Sequence, residues 1–181
     1  MILSAIYFFS SFGYSALMFF MPSFLPVSSD FQSYLIIVVQ QISGVPGKLL
    51  ATYSVDSPLG RKWTTAIGFT TTGICLIGFV FTTNFGLVML CTSVYYFLVN
   101  MGLSSLFTQG QELYGGQNRS SASGFLMGMA RIGSAVGPVV AGSLYDFGGI
   151  AMAVSINIAC FIFIGLLALS LRETRPVSRR N

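Results

Sequence analysis

The chain has 181 residues, 54% of them hydrophobic and 8% charged, whereas a soluble domain carries about a quarter of its residues as Asp, Glu, Lys and Arg, so a water-soluble globule is excluded. Nine basic and five acidic residues leave a net charge of +4, too few charges to build the basic face that nucleic-acid binding requires. Histidine is absent and the three cysteines, Cys75, Cys91 and Cys160, sit singly in apolar runs, so neither a metal site nor a disulfide framework has its spacing and no cofactor is implied.

A membrane-spanning helix takes about 20 mostly apolar residues, and such stretches follow one another at 1–25, 31–54, 63–82, 86–108, 121–143 and 150–171. The expected fold is all-α, a polytopic membrane protein of six transmembrane helices filling 1–171, with a basic cytoplasmic tail at 172–181. The first stretch carries Ser4, Tyr7, Ser11, Tyr14 and Ser15 on neighbouring faces. It opens without a charged segment and is longer than the apolar part of a signal peptide, so it reads as a helix of a chain entered midway. After a break at 26–30 the second stretch presents Gln40, Gly44, Gly47 and Lys48 at helical spacing, with Gln41 beside them. Lys48 stands eight residues before Asp56, so its side chain can snorkel to the interface; a polar stripe into the bundle is the other reading.

Turn residues at 56–62 and at 83–84 bound the third stretch. The fourth carries Thr92, Tyr96, Asn100, Ser104 and Thr108 at successive steps of four, a stripe able to hydrogen-bond a solute or another helix. A polar run at 109–120 leads to the fifth, where Arg131 lies about eleven residues in; at 1.5 Å per residue that is about 16 Å, near the centre of a core about 30 Å thick. Gly124, Gly128, Ala135, Pro138 and Gly142 share its face, which is expected to pack closely or line a cavity. Arg131 there either binds or gates an anion, or bonds backbone carbonyls in a glycine-rich seam. A break at 145–149 precedes the sixth stretch, in which Asn157 reads as a packing group. The serines have no histidine partner and no glycine-rich loop resembles a phosphate cradle, so the chain is not expected to be an enzyme.

Arg61 and Lys62 follow the second stretch, Arg119 the fourth, and Arg172, Arg175, Arg179 and Arg180 the sixth, while the opposite breaks hold Asp30 and Asp146 and no basic residue. Cytoplasmic loops keep their lysines and arginines, so both termini are expected in the cytoplasm. Asn118-Arg119-Ser120 matches the glycosylation pattern but falls on that same side, where no glycan is added.

Four motifs resemble the major facilitator superfamily of transporters. Pro46-Gly47 followed by Asp56-Ser57-Pro58-Leu59-Gly60-Arg61-Lys62 is similar to the D-x-x-G-R-R/K loop between the eighth and ninth helices, with one extra residue before Gly60. Glu112-Leu113-Tyr114 with Arg119 resembles the P-E-x-x-P-T-x-x-R loop after the tenth helix of sugar-porter-like members, with Gln111 and Gly115-Gly116 in place of its prolines and threonine. Residues 124–138, with Arg131-Ile132-Gly133, resemble the eleventh helix of the branch related to synaptic vesicle proteins, and Glu173-Thr174-Arg175 resembles the E-T-R/K ending after the twelfth.

The resemblance implies the C-terminal half of a twelve-helix transporter, truncated or paired with a second unit, whose solute site lies at mid-membrane between two halves that rock. Arg131, Asn100, Tyr96, Gln40, Gln41 and Tyr14 are then candidates for the solute cavity. Asp56 with Gly60, Arg61 and Lys62, and Glu112 with Arg119, become cytoplasmic charge latches, although topogenic charge and helix capping account for the same residues. The partners implied are the lipid bilayer, a small organic solute, anions among the candidates, and the missing N-terminal half or another six-helix unit; the plasma membrane is the expected location. A non-transporting membrane protein that uses the half-fold to bind a partner is the rival reading.

Overall fold

A computed structural model of the chain describes residues 2–24, 30–56, 60–80, 84–114 and 119–171. They form α1 (Ile2–Phe24), α2 (Asp30–Asp56), α3 (Gly60–Val80), α4 (Phe85–Glu112) and α5 (Arg119–Leu169). The breaks around Pro26 and Pro58, the sequon's Asn118 and the tail from Arg172 lie outside the described residues.

The expected interruption at 145–149 contracts to one residue. Tyr145, Asp146 and Phe147 stay helical, and the chain turns at Gly149, with φ 68 and ψ −163. A side chain there would cost on the order of 1–3 kcal/mol, so glycine makes the kink that divides α5 into arms at 119–148 and 150–169. Among the described residues, four helical stretches are long and apolar enough to cross a membrane: Ile2–Phe19, Tyr34–Val55, Phe85–Glu112 and Arg119–Leu169. The threonines of α3 lower its apolar content, yet most of them are satisfied locally. Thr64, Thr65 and Thr72 donate to the carbonyls of Gly60, Arg61 and Gly68 at 2.8, 2.9 and 2.6 Å.

Lipid offers apolar side chains no less comfort than a protein core, so helices associate where small residues let backbones approach. Gly47 brings α2 against the backbone of Phe97 on α4. Tyr7 on α1 donates to the Leu106 carbonyl of α4 at 3.2 Å. Gly133 and Gly137 seat the first arm of α5 on the backbone of α1 at Phe8 and Phe12. These contacts give a row running α2, α4, α1 and the first arm of α5. Behind it stand α3 and the second arm, joined where Gly73 meets Ile158 and Ile162 and Gly165 meets Ala66 and Thr70. Ile6, Leu17, Phe69, Leu106, Phe161 and Ile164 fill the space between the layers.

The first arm of α5 does not meet α1 through the face expected to pack closely or line a cavity. The face that meets α1 carries Leu126, Ala130, Gly133, Gly137 and Ala141, whereas Gly124, Gly128, Arg131 and Ala135 are exposed. Both stripes offer small residues, but only the first does so without burying a guanidinium.

Candidate functional site

The polar stripe of α4 meets α1 and α2 around one tyrosine pair. The hydroxyls of Tyr14 and Tyr96 lie 2.8 Å apart, and Tyr96 donates to Gln41 Oε1 at 2.6 Å. A phenol has one proton, so Tyr96 accepts from Tyr14 as it donates to Gln41. The amide of Gln41 points on to Met18 Sδ, 3.9 Å away. One turn along α4, Asn100 donates to the Tyr96 carbonyl at 2.8 Å. Gly44 makes room for this arrangement, since a Cβ there would lie 2.7 Å from the Tyr96 ring.

Four of the six residues expected in a solute cavity, Tyr14, Gln41, Tyr96 and Asn100, are thus brought together from three helices. Gln40 is not among them: it is 2% exposed and shares the packing face of α2 with Gly44, Gly47 and Ala51, one helical step of about 100° away from Gln41. Arg131 is exposed on the first arm of α5. Among the described residues its side chain makes no hydrogen bond or ion pair, so the expected alternative of bonding to backbone carbonyls does not hold here. Ser134, three residues on, hydrogen-bonds Ser15 of α1, which turns this edge of the arm toward Tyr14. Asn157 is a packing group as expected, buried and donating to the Ala153 carbonyl at 2.8 Å.

A second polar centre lies where α3 begins and α4 ends. Arg61 forms an ion pair with Glu112, and its side chain is 8% exposed against 33% for the glutamate. Ser105 donates to the Arg61 carbonyl at 3.0 Å, and its hydroxyl oxygen lies 2.9 Å from that of Thr65. Ala51, Thr52, Val55, Arg61, Ser104, Thr108 and Glu112 line a cavity of ≈ 250 Å³ beside the pair. The latch expected between Glu112 and Arg119 is replaced: Arg119 reaches Gln111 Oε1 at 3.5 Å, and Glu112 bonds across to the next helix. Lys62 is half-buried next to Arg61. Asp56 ends α2, and its side chain lies outside what is described. Thr65, Ser105 and the buried Gln109 escaped the sequence reading, although Ser105, Gln109 and Glu112 follow at helical spacing on one face of α4.

Residues 3–181 match the family model of the Major Facilitator Superfamily. The chain belongs to that superfamily. Among curated proteins it is 30% identical over 145 residues to "MFS siderochrome iron transporter 1" of Ceriporiopsis subvermispora (strain B), a match that covers 80% of this chain and 27% of that protein. The chain therefore matches only about a quarter of the length of that relative.

Superfamily members are integral, multi-pass membrane transporters rather than enzymes, and this chain's long apolar helices fit that setting. Within the superfamily frame the glycine of the loop motif gains a physical reason. Gly60 starts α3 at φ 77, a left-handed conformation natural to glycine. The turn brings Arg61 into the bundle toward Glu112 instead of out into water.

Proposed function

We propose that the chain is a six-span unit of a solute transporter, with each arm of α5 crossing the membrane once, and that it works against a second six-helix unit. Residues 1–171 are the membrane domain, 172–181 a cytoplasmic tail, and both termini face the cytoplasm of a plasma-membrane protein. The solute pathway runs along the face made by α2, α4, α1 and the first arm of α5. Tyr14, Gln41, Tyr96 and Asn100 bind the solute's polar groups there, Arg131 meets an anionic part, and Gln40 supports Gln41 from the packing face. The observation that carries this reading is the hydrogen-bond chain from Tyr14 through Tyr96 to Gln41, which joins three helices and continues down α4 to Asn100.

The Arg61–Glu112 pair is the conformational latch. It ties the end of α4 to the start of α3, and so fixes the tilt of the helix that carries Tyr96 and Asn100. Gly60 sets the turn, while Asp56, Lys62 and Arg119 adjust the charge around it. A siderochrome-type iron chelate is the solute class the similar protein's name supports. Uptake of a radio-iron-labelled siderochrome by cells expressing the complete transporter tests the assignment. Tyr96→Phe and Asn100→Ala should each raise the half-saturating concentration, and wild-type uptake no faster than in cells lacking the protein overturns the reading.

A further inference from the structure

We infer that Lys48 and Arg131 together make this face a receptor for an extended polyanion, a solute with at least two separated anionic groups. The inference rests on the solute-pathway reading and adds to it a charge class and a second cation. Both side chains are exposed, and among the described residues neither makes a hydrogen bond or an ion pair. A charge on a membrane helix turns toward water, a partner or a polar cavity, because facing lipid costs at least a few kcal/mol.

The direction of Lys48 follows from its stripe. Gln41, Lys48 and Thr52 succeed one another at steps of seven and four, on one face of α2. Gln41 is bonded to Tyr96 of α4, and Thr52 lines the cavity that holds Ser104, Thr108 and Glu112 of the same helix. A side chain between them faces the polar stripe of α4 as they do. Arg131 is placed by Ser134, whose bond to Ser15 orients that edge toward the tyrosine pair. The other edge of the arm exposes Ile132, Val136 and Val139 and suits lipid.

The two cations also share a level. Lys48 lies one turn beyond Gly44, which packs on Tyr96; Asn100 lies one turn beyond Tyr96; and Arg131 lies almost one turn before Ser134. The contacts of α1 with the first arm of α5 run parallel, those of α1 with α4 antiparallel and those of α2 with α4 parallel, so all three displacements point toward the end where α3 begins, by about 4.5–6 Å. Lys48, Asn100 and Arg131 therefore form a tier below the tyrosine pair. Helices α4 and α1 stand between the two cations, and each helix-to-helix step is about 8–10 Å. One carboxylate cannot bridge them. The fitting occupant carries anionic groups at both ends and neutral oxygens facing Asn100 and the tyrosines.

Two iron(III) tris-hydroxamates of similar size serve as probes: one with a free carboxylate at each of two opposite ends, a dianion, and its dimethyl ester, which is neutral. Uptake of each is measured in cells expressing the complete transporter, normalised to surface protein, and read as the ratio of charged to neutral chelate. Wild type should favour the dianion, Lys48→Gln and Arg131→Gln should each lower the ratio at least tenfold, and Lys48→Arg should keep it within about threefold. A preference for the neutral chelate, or a ratio that either glutamine variant leaves unchanged while both chelates are carried, overturns the inference alone. Uptake of neither chelate by wild type overturns the siderochrome reading and the inference with it.

Discussion

Replacing Glu112 by glutamine removes the charge of the latch and little else. Glutamine has the same reach and keeps one acceptor oxygen, so the contact with Arg61 loses Coulomb energy while the shape of the ≈ 250 Å³ cavity is kept. Breaking a fully buried pair costs about 3–5 kcal/mol because the surviving charge stays desolvated, and an exposed pair is worth about 0.2–1 kcal/mol. Here the Arg61 side chain is 8% exposed and the Glu112 side chain 33%, so the glutamate's share is screened and about 2 kcal/mol is the reasonable figure between those limits. If the pair forms in one end-state and opens in the other, that energy shifts the balance between them about 30-fold, at about 1.4 kcal/mol per factor of ten. The assay is the rate of thiol labelling at a single reporter cysteine near the cytoplasmic mouth, with Cys75, Cys91 and Cys160 replaced. Glu112→Gln should change the labelling rate by more than tenfold, and the exchange Arg61→Glu with Glu112→Arg should recover part of it. A labelling rate that moves less than twofold refutes the latch and leaves these charges as topogenic.

Other outcomes follow from the same geometry. Tyr96→Phe deletes the hydroxyl that joins Tyr14 to Gln41; at about 1 kcal/mol per hydrogen bond, losing one or both should lower solute affinity about 5- to 30-fold with unchanged expression, checked by the concentration dependence of uptake. Gly133→Leu drives a side chain into the α1 backbone at Phe8 and should cost at least about 1–3 kcal/mol, read as a lower melting temperature in detergent, whereas Gly128→Leu on the exposed face should melt like the wild type. Tags at either terminus should resist protease in sealed right-side-out cells and Asn118 should carry no glycan; a glycan there reverses the proposed orientation. Liposomes holding this chain alone as a monomer should accumulate no solute, since one half of a rocking pair encloses no site.

The apolar stretches were legible because lipid imposes composition over about 20 residues at a time. So was the stripe on α4 from Tyr96 to Thr108, whose step of four survives in any packing of that helix. Choices between near-equivalent faces were not legible. Gln40 and Gln41 are neighbours of the same type, and only the approach of α4 at Gly44 and Gly47 buries one and leaves the other to Tyr96. The first arm of α5 carries two stripes of small residues, and periodicity alone does not say which one meets α1. Glu112 and Arg119 are close in sequence, but α3 returns alongside α4 and delivers Arg61 first. The Gly148-Gly149 pair reads as a loop, yet a single left-handed residue at Gly149 suffices for the kink.

Water access along the row of α2, α4, α1 and the first arm of α5 tests the central claim directly. In a cysteine-free background of the complete transporter, Gln41→Cys and Ala135→Cys sit on the proposed pathway, and Ile74→Cys and Val139→Cys sit on exposed apolar positions assigned to lipid. A membrane-impermeant charged thiol reagent should label the first two in at least one conformational state, with labelling slowed by solute, and should leave the last two unmodified. Labelling of Ile74→Cys and Val139→Cys with none at Gln41→Cys and Ala135→Cys contradicts the account, because the solute would then pass along a different face of the bundle.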